Sequence, residues 1–255
     1  MQASTPTGCF FTDTTVILSE ILREHIARLE KFKKDVNFHN VPCFITDSIK
    51  QECDTKIENT VNFLGNITRE SIAMALEDSR KNRRVPIESP MTSEDIIALE
   101  ELFSLLHKAT RATLQLTSPI QIVEEWAITF LGEILERGTE INISQFLVEL
   151  VKKLLSLAGS IQDPYDELIT FERSFVKKIN IVVDASIVDS LRGLGIHEPD
   201  ATHIACATSH SIRSGQRSVF VTFDYGSILS KKNDIKNALN QICCDPLYAI
   251  YHLTP

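Results

Sequence analysis

Short apolar runs and amphipathic stretches alternate at the start of the chain. Residues 8–13 (GCFFTD) are apolar up to a carboxylate, and 41–46 (VPCFIT) form a second such run, so both are predicted as buried strands. Residues 17–34 repeat apolar side chains every three or four positions, which predicts a helix, and a further helix is predicted from Ser48. Strand, helix, strand and helix in this order indicate a parallel sheet.

The middle of the chain, residues 56–165, is predicted to be helical and to contain no strand. Its amphipathic stretches are 91–116, 118–138 and 144–159. The first stretch opens with acidic residues, which the helix dipole favours, and the other two end at a glycine. Residues 56–165 are therefore predicted to form an all-helical insertion.

The end of the chain returns to mixed character. The predicted elements are a helix over 165–179, a strand or a helix segment over 179–183, a helix over 201–215, and strands over 218–224 and 247–253. Residues 8–55 and 166–255 are thus predicted to form one α/β domain with a central parallel sheet, which the helical insertion interrupts.

Composition narrows the class of protein. Apolar residues make up 43% of the 255, which excludes collagen-like, disordered and disulfide-dense small proteins. With 26 basic and 34 acidic residues the net charge is -8, which argues against polyanion binding because phosphate contacts use Lys and Arg. Local acidity has a second explanation, namely carboxylates gathered around a cation.

The pattern predicts no targeting signal. The N-terminal stretch has no basic region, and no segment approaches about 18 consecutive apolar residues, so we expect a cytoplasmic protein with no membrane span. The cysteines show no CxxC pair and no zinc spacing, and we expect buried free thiols. They are Cys9, Cys43, Cys53, Cys206, Cys243 and Cys244.

Four acids occupy corresponding places in the predicted elements. Asp13 and Asp224 end predicted strands, Asp200 opens a predicted helix, and Glu52 lies early in the helix after the second strand. The carboxyl ends of parallel strands and the starts of the following helices share one edge of a sheet. Carboxylates brought together there repel one another unless a cation binds, and hard divalent ions such as Mg²⁺ or Mn²⁺ suit them.

Taken singly, each acid has an ordinary explanation. Asp13 fits a helix cap, Asp200 a first-turn residue, Asp224 a turn residue and Glu52 a solvated helix face. The joint placement on one edge favours a metal site. Asp47 and Asp54 flank Glu52 and compete with it, and we expect Asp47 in a cap or turn. Asp184 and Asp189 are further competitors, which we expect on helix faces.

Four segments around these acids resemble the PIN-domain family of metal-dependent nucleases. They are FFTDTTVI (10–17), FITDSIKQE (44–52), EPDATHIACATSH (198–210) and VFVTFDYG (219–226). The family has an Asp ending the first strand, a Glu early in the second helix, an Asp opening a small-residue helix, and an Asp in a Thr-x-Asp strand end. The matching residues here are Asp13, Glu52, Asp200 and Asp224.

The resemblance implies a PIN-like α/β/α sandwich that hydrolyses RNA with Mg²⁺ or Mn²⁺ held by those four residues. Such a nuclease is free-standing or the toxin of a toxin–antitoxin pair, so the implied partners are RNA and an antitoxin or a second copy bound through the insertion. The resemblance covers 8–55 and 166–255, and the segment 56–165 exceeds the usual connection in the family.

Neighbouring residues leave choices open. Thr14 and Thr222 either bond a carboxylate or are ordinary strand-end threonines. His203, one turn after Asp200, is either catalytic or, as we expect, a buried histidine bonded to a backbone carbonyl. The basic cluster 80–84 either contacts RNA or is a solvated loop.

Two other functions compete with the nuclease. One is a catalytically weak or inactive PIN-like scaffold that uses its helical insertion to bind partners. The other is a phosphatase of the haloacid-dehalogenase type, but that family places a second Asp where Thr15 stands.

The distribution of charge along the chain is compatible with the nuclease. The insertion holds 11 basic and 16 acidic residues, which leaves 15 and 18 in the flanks, or 15 against 14 without the four acids.

Overall fold

The chain divides into two compact units in the computed structural model. Residues 1–55 with 164–255 form the first, here called the sheet unit, and residues 56–163 form the second, the helical unit. The structure describes residues 8–22, 25–113, 118–169 and 175–253.

The sheet unit contains a five-stranded parallel sheet with strand order β3-β2-β1-β4-β5. The strands are β1 Gly8–Thr12, β2 Cys43–Ile45, β3 Lys177–Lys178, β4 Arg217–Val221 and β5 Ile242–Cys244. β1 pairs with β4 along its full length, from Gly8 opposite Arg217 to Thr12 opposite Val221. The predicted α/β class and parallel sheet are confirmed.

Ten α-helices lie in the described part of the chain. They are α1 Thr14–Leu22, α2 Ile26–His39, α3 Asp47–Asn62, α4 Arg69–Arg83, α5 Ser93–Thr113, α6 Ser118–Glu136, α7 Ile143–Ile169, α8 Ala185–Gly193, α9 Glu198–Ser214 and α10 Lys232–Leu239. A π-helical segment, Phe63–Thr68, joins α3 to α4. The predicted helices from Ser48, over 118–138 and over 201–215 are confirmed to within a few residues at their ends.

Helices cover both faces of β1, which explains its continuous apolar run. Cys9 and Phe11 pack into a core shared with α8, α9 and α10. On the opposite face, the ring of Phe10 lies 5.3 Å from that of Phe32 in α2. A strand that is buried on both faces needs apolar residues at every position. All six cysteines are free and buried, as expected.

The predicted strand over 247–253 is wrong. The last strand is β5, and Pro246–His252 forms a 3-10 helix instead. Asp245 caps this helix by accepting a 2.7 Å hydrogen bond from the N–H of Leu247, and proline at the first helical position suits a helix start. The Asp-Pro pair therefore stops the strand before the apolar run begins.

Three further boundaries differ from the prediction. The segment 179–183 is neither strand nor helix, since β3 ends before it and α8 begins after it. Gly159 does not end α7, which runs on through Pro164 because Ile161 and Tyr165 continue its buried face. The predicted helix over 165–179 covers only the end of α7, and residues 170–174 lie outside the described residues.

A fourth difference concerns the first predicted helix, 17–34. The structure has two helices there, α1 and α2, and His25 immediately before α2 adopts a left-handed conformation with φ 50°. A helical residue cannot adopt that φ, so the helix must be interrupted at this point.

The helical unit is organised around a buried arginine. Arg80 in α4 is fully buried, and its guanidinium bonds both carboxylate oxygens of Asp95 in α5, at 3.2 and 2.9 Å. It also donates to the backbone carbonyls of four residues that connect these helices, Pro86, Ile87, Ser89 and Pro90. Arg83 donates to the same carboxylate at 2.5 Å. The interpretations of the cluster 80–84 as an RNA contact or a solvated loop are both wrong for Arg80, which is buried and holds the connection in place.

Among the described helices, none combines the length and the apolarity that crossing a membrane requires.

Candidate metal centre

Asp13 lies where β1 ends, and the sheet fixes its position. Its backbone N–H donates a 2.9 Å bond to the carbonyl of Val221, which extends the pairing with β4 by one residue. Its carboxylate oxygen Oδ2 accepts 2.8 Å hydrogen bonds from the hydroxyls of Thr15 and Thr222. The side chain is therefore held on both sides, by its own strand end and by the neighbouring one, and only 3% of the residue is exposed.

Helix α9 brings two further groups to Asp13. Asp200 lies in its first turn and His203 one turn later, so both side chains project from the same face. Ligand atoms of Asp13, Asp200 and His203 all lie within 4.8 Å of one another, and we call these three residues the carboxylate–histidine cluster. Small residues such as Ala201 and Ala205 lie fully buried in α9, which lets the helix approach the sheet closely.

His203 is buried with one ring nitrogen unpaired. Nδ1 lies 3.6 Å from Oδ1 of Asp13 and has no hydrogen-bond partner among the described residues. Nε2 lies 3.7 Å from Oε2 of Glu52. The expected bond to a backbone carbonyl is wrong, because the ring faces two carboxylates.

Of the other two predicted acids, Glu52 faces His203 of the cluster directly, and Asp224 is linked to Asp200 through Ser227. Glu52, in α3, accepts a 2.8 Å hydrogen bond from the hydroxyl of Thr14 and faces His203. Asp224, after β4, accepts a 2.8 Å bond from the backbone N–H of Ser227. The hydroxyl of Ser227 contacts both Asp224 and Asp200, the latter at 3.2 Å. The structure thus brings all four predicted acids to one edge of the sheet.

Thr14 and Thr222 bond carboxylates, which was one of the two readings the sequence left open. Thr14 donates to Glu52 and Thr222 to Asp13. Thr222 also accepts a 2.9 Å hydrogen bond from the backbone N–H of Asp224. These threonines therefore position three of the four acids.

The surroundings of Asp200 destabilise its ionised form. Burial raises the pKa of Asp200 to about 6, and the neighbouring charges of Asp13 and Asp224 add to the effect. Burial also acts to raise the pKa of Asp13, but the His203 imidazole and the hydroxyls of Thr15 and Thr222 outweigh it, so the pKa lies below its ordinary value. The site thus favours a negatively charged Asp13 beside an Asp200 whose ionised form is destabilised by its surroundings and would be stabilised by a cation.

The position in the sheet is the one at which parallel sheets bind ligands. From β1, the chain continues to β2 and β3 on one side, and β4 and β5 lie on the other. The crevice at the carboxyl ends of the strands, where the order reverses, is the usual ligand site of open α/β sheets. Asp13 follows β1 and Asp224 follows β4, so they flank this crevice.

The competing acids lie in structural roles. Asp184 caps α8 by accepting a 2.9 Å bond from the N–H of Ser186, and Asp189 pairs with Arg192 on an exposed helix face. Asp47 pairs with Lys178, and Asp54 pairs with Lys50 at 2.7 Å. Asp189 thus lies on the helix face expected of it, whereas Asp184, also expected on a helix face, precedes the helix and caps it.

Sequence reasoning underestimated two residues of the site. His203 has a usable signal, since a spacing of three from Asp200 places it on the same helix face. Ser227 has no such signal, because only the turn after β4 brings its hydroxyl between Asp224 and Asp200.

The donor set fits a divalent cation. Oxygen ligands at about 2.1 Å from one ion lie about 3–4 Å apart, and the ligand atoms of the cluster lie within 4.8 Å of one another, which is close to that spacing. The unpaired Nδ1 of His203 is a further donor aimed at the cluster. Because Mg²⁺ prefers oxygen ligands throughout, an imidazole in the set favours a transition ion over Mg²⁺.

No protein-family model matches the chain, and comparisons with curated proteins and with solved structures found no match either. The geometry of the site, together with the motifs around it, is therefore the basis on which a function is assigned.

Proposed function

We propose that the protein is a Mg²⁺- or Mn²⁺-dependent ribonuclease of the PIN type. The observation that carries the proposal is that ligand atoms of buried Asp13, half-buried Asp200 and buried His203 lie within 4.8 Å of one another at the reversal of strand order. The order of the four acids along the chain, and the helices on both faces of β1, support a PIN-like α/β/α sandwich. In this proposal residues 56–165 are an insertion into the nuclease domain.

Each acid has a distinct role in the proposed site. Asp13 and Asp200 hold the cation, and Thr15 and Thr222 keep Asp13 ionised and oriented. A divalent ion bound there lowers the pKa of a water molecule and polarises a phosphate oxygen. Glu52 and Asp224 orient the cluster through His203 and Ser227 and supply further negative charge.

RNA is proposed as the substrate because the four motifs resemble a ribonuclease family. The net charge of -8 is compatible with this substrate, since the flanks without the four acids are close to neutral. A bound divalent ion offsets part of the remaining charge, so the acidity points first to a cation.

Cleavage assays test the proposal. Single-stranded and structured RNA are incubated with the protein in Mn²⁺ or in EDTA, and cleavage is expected only with the metal. The Asp13→Asn/Asp224→Asn variant should lose activity by at least about a hundredfold. The Asp189→Asn/Asp234→Asn variant removes the same charge from exposed acids and should cleave normally. Equal activity in Asp13→Asn/Asp224→Asn and the wild type would sink the proposal.

An interaction role is the second candidate, and exposed apolar side chains of the helical unit favour it. They are Met74, Ile97, Leu105, Val148 and Leu155, each more than half exposed. An antitoxin or a second copy of the chain would cover side chains of this kind. Calorimetry with Mn²⁺ separates the candidates, because a scaffold without a metal site shows no binding heat. Oligomeric state, measured by light scattering, tests the second copy.

A further inference from the structure

A cavity of about 670 Å³ lies beside the edge strand of the sheet unit. The strand β5 and the turn after β4 form part of its wall, and helix α10 and the 3-10 helix after β5 contribute the rest. We call it the β5 pocket. The polar residues that matter here are Arg28, Tyr225, Lys232, Lys236, Asp245 and Tyr248.

The β5 pocket is positively charged in an acidic protein. Lys232 and Lys236 lie one turn apart on α10, both are exposed, and neither has an ion-pair partner among the described residues. The pKa of His252, which also lines the pocket, responds to their charge. Burial first, and then the charges of Arg217, Lys236 and Lys232, hold the pKa of its imidazole below the ordinary value. Two lysines at this spacing suit the phosphates of a nucleic-acid strand.

The acidic residue that lines the pocket is already neutralised. Asp245 accepts hydrogen bonds from Arg28 at 3.1 Å, from the N–H of Leu247 at 2.7 Å, and from the hydroxyl of Tyr225. Its charge is therefore offset by Arg28, and the lysines remain free to attract an anion.

Two tyrosine rings that are about half exposed line the same pocket, and the guanidinium of Arg28 lies 5.8 Å from the centroid of the Tyr225 ring. Tyr225 is 49% exposed and Tyr248 is 55% exposed. Exposed aromatic rings next to a basic groove are the platforms on which unpaired bases stack, whereas a duplex keeps its bases stacked inside. The combination of unpaired lysines and exposed rings favours a single strand.

The pocket adjoins the proposed catalytic site through one turn of chain. Tyr225 directly follows Asp224, and the N–H of Leu229, another lining residue, donates a 2.9 Å bond to the carbonyl of Asp224. We propose that the β5 pocket binds a nucleotide of single-stranded RNA next to the phosphodiester held at the carboxylate–histidine cluster. This inference rests on the proposed ribonuclease function and assigns the side from which the strand enters.

Binding without cleavage tests the pocket by itself. Fluorescein-labelled oligouridylate is titrated with the full-length protein in EDTA, and anisotropy gives Kd over a range of salt concentrations. Lys232→Ala/Lys236→Ala should lower the slope of log K against log salt by about 1.4, which is roughly tenfold weaker binding at physiological salt. Tyr248→Ala should weaken binding by roughly tenfold through lost stacking, with a smaller change in the salt slope.

Matched controls separate the pocket from general charge. Lys81→Ala/Arg84→Ala removes two exposed cations from the helical unit and should leave Kd and the salt slope unchanged. Circular dichroism checks that each variant is folded, and Lys232→Arg/Lys236→Arg, which keeps the charge, should bind like the wild type. Wild-type binding by Lys232→Ala/Lys236→Ala, or an equal loss in the Lys81→Ala/Arg84→Ala control, overturns the inference.

Failure of the pocket and failure of the nuclease are distinguishable. If the pocket binds RNA in EDTA but Mn²⁺ produces no cleavage, the proposed function fails and the binding site remains. If cleavage occurs and Lys232→Ala/Lys236→Ala leaves KM unchanged, the nuclease remains and the pocket is not its RNA site. Both proposals together require that this variant raise KM by roughly tenfold with kcat little changed.

Discussion

Nδ1 of His203 faces Oδ1 of Asp13 at 3.6 Å and has no hydrogen-bond partner among the described residues. A buried polar atom of this kind is uncommon, because losing its hydrogen bond to water costs about 1–3 kcal/mol. A cation shared with the carboxylate would satisfy the nitrogen and the oxygen together. The unpaired nitrogen thus has a physical explanation if His203 is a metal ligand.

Replacing His203 tests that explanation. His203→Gln should weaken Mn²⁺ binding by at least about tenfold and Mg²⁺ binding by less, because imidazole favours transition ions over Mg²⁺. Isothermal calorimetry with each ion at neutral pH measures both affinities. His210→Gln is the matched control, since His210 lies on the same helix and faces Cys9 instead. Unchanged affinity for both ions in His203→Gln would exclude His203 from the site.

The ionised carboxylate of Asp200, which the proposed function requires, should lower the free energy of unfolding in the absence of metal. Its pKa of about 6 exceeds the ordinary 3.8, so the folded state binds the proton more tightly than the unfolded state between these values. Wild-type stability should therefore fall as pH rises through this window. Asp200→Asn should raise the unfolding midpoint in EDTA by a few degrees above pH 6 and make no difference below the ordinary pKa.

Differential scanning calorimetry at several pH values measures the effect of Asp200→Asn. Adding Mn²⁺ should stabilise the wild type and not the variant, so that the order of the two midpoints reverses. Asp189→Asn, on an exposed helix face, serves as the control and should shift neither curve. A stability gain in Asp200→Asn that is the same at all pH values would contradict the charge explanation.

The hydroxyl of Ser227 should tune the site without binding the metal. It contacts both Asp224 and Asp200, and its hydrogen bond counteracts the rise in the pKa of Asp200. Ser227→Ala should therefore raise that pKa further and weaken Mn²⁺ binding by about tenfold. Mn²⁺ titrations across pH measure both effects, and Ser211→Ala, which loses a bond to a loop carbonyl on the same unit, is the control. Equal metal affinity in Ser227→Ala and the wild type at every pH would remove Ser227 from the site.

The strands that carry the acids were predictable because each is an apolar run that stops at a carboxylate. The last strand was missed for a physical reason. The following segment is a short apolar run, which fits a strand and a helical turn equally well. Its buried residues are spaced three or four apart, as in a helical turn, and they are Pro246, Ala249, Ile250 and Leu253. The three-residue β5 is too short to show its own pattern.

The location of the site was predictable from the order of the acids along the chain, but the orientation of its side chains was not. Parallel topology alone brings Asp13, Asp200 and Asp224 to one edge. The ring orientation of His203 depends on Glu52, which lies in a different helix, and no local pattern encodes that approach. The helical unit illustrates the same limit, since Arg80 belongs to a charged sequence cluster that is typical of a surface and yet is fully buried.

Arg80 should be the main polar anchor of the helical unit. Arg80→Met removes one partner of a buried ion pair and should destabilise this unit by about 3–5 kcal/mol.

The ionisation of Asp95 should make the free energy of unfolding of this unit depend on pH. Burial acts to raise the pKa of Asp95, but hydrogen bonds from Arg80, Thr92 and Arg83 outweigh it, so the pKa is held below its ordinary value. The stabilisation is therefore complete above the ordinary pKa and is lost as pH falls through the lowered one.

Trp126 makes this measurement specific to the helical unit. It is the sole tryptophan of the chain, and its ring stacks on those of Phe130 and Phe146 at 5.1 and 6.1 Å. Urea unfolding followed by its fluorescence should show the loss in Arg80→Met, while Arg84→Met, at an exposed position of the same cluster, should change the midpoint little. Equal midpoints for the two variants would show that the buried guanidinium does not stabilise the unit.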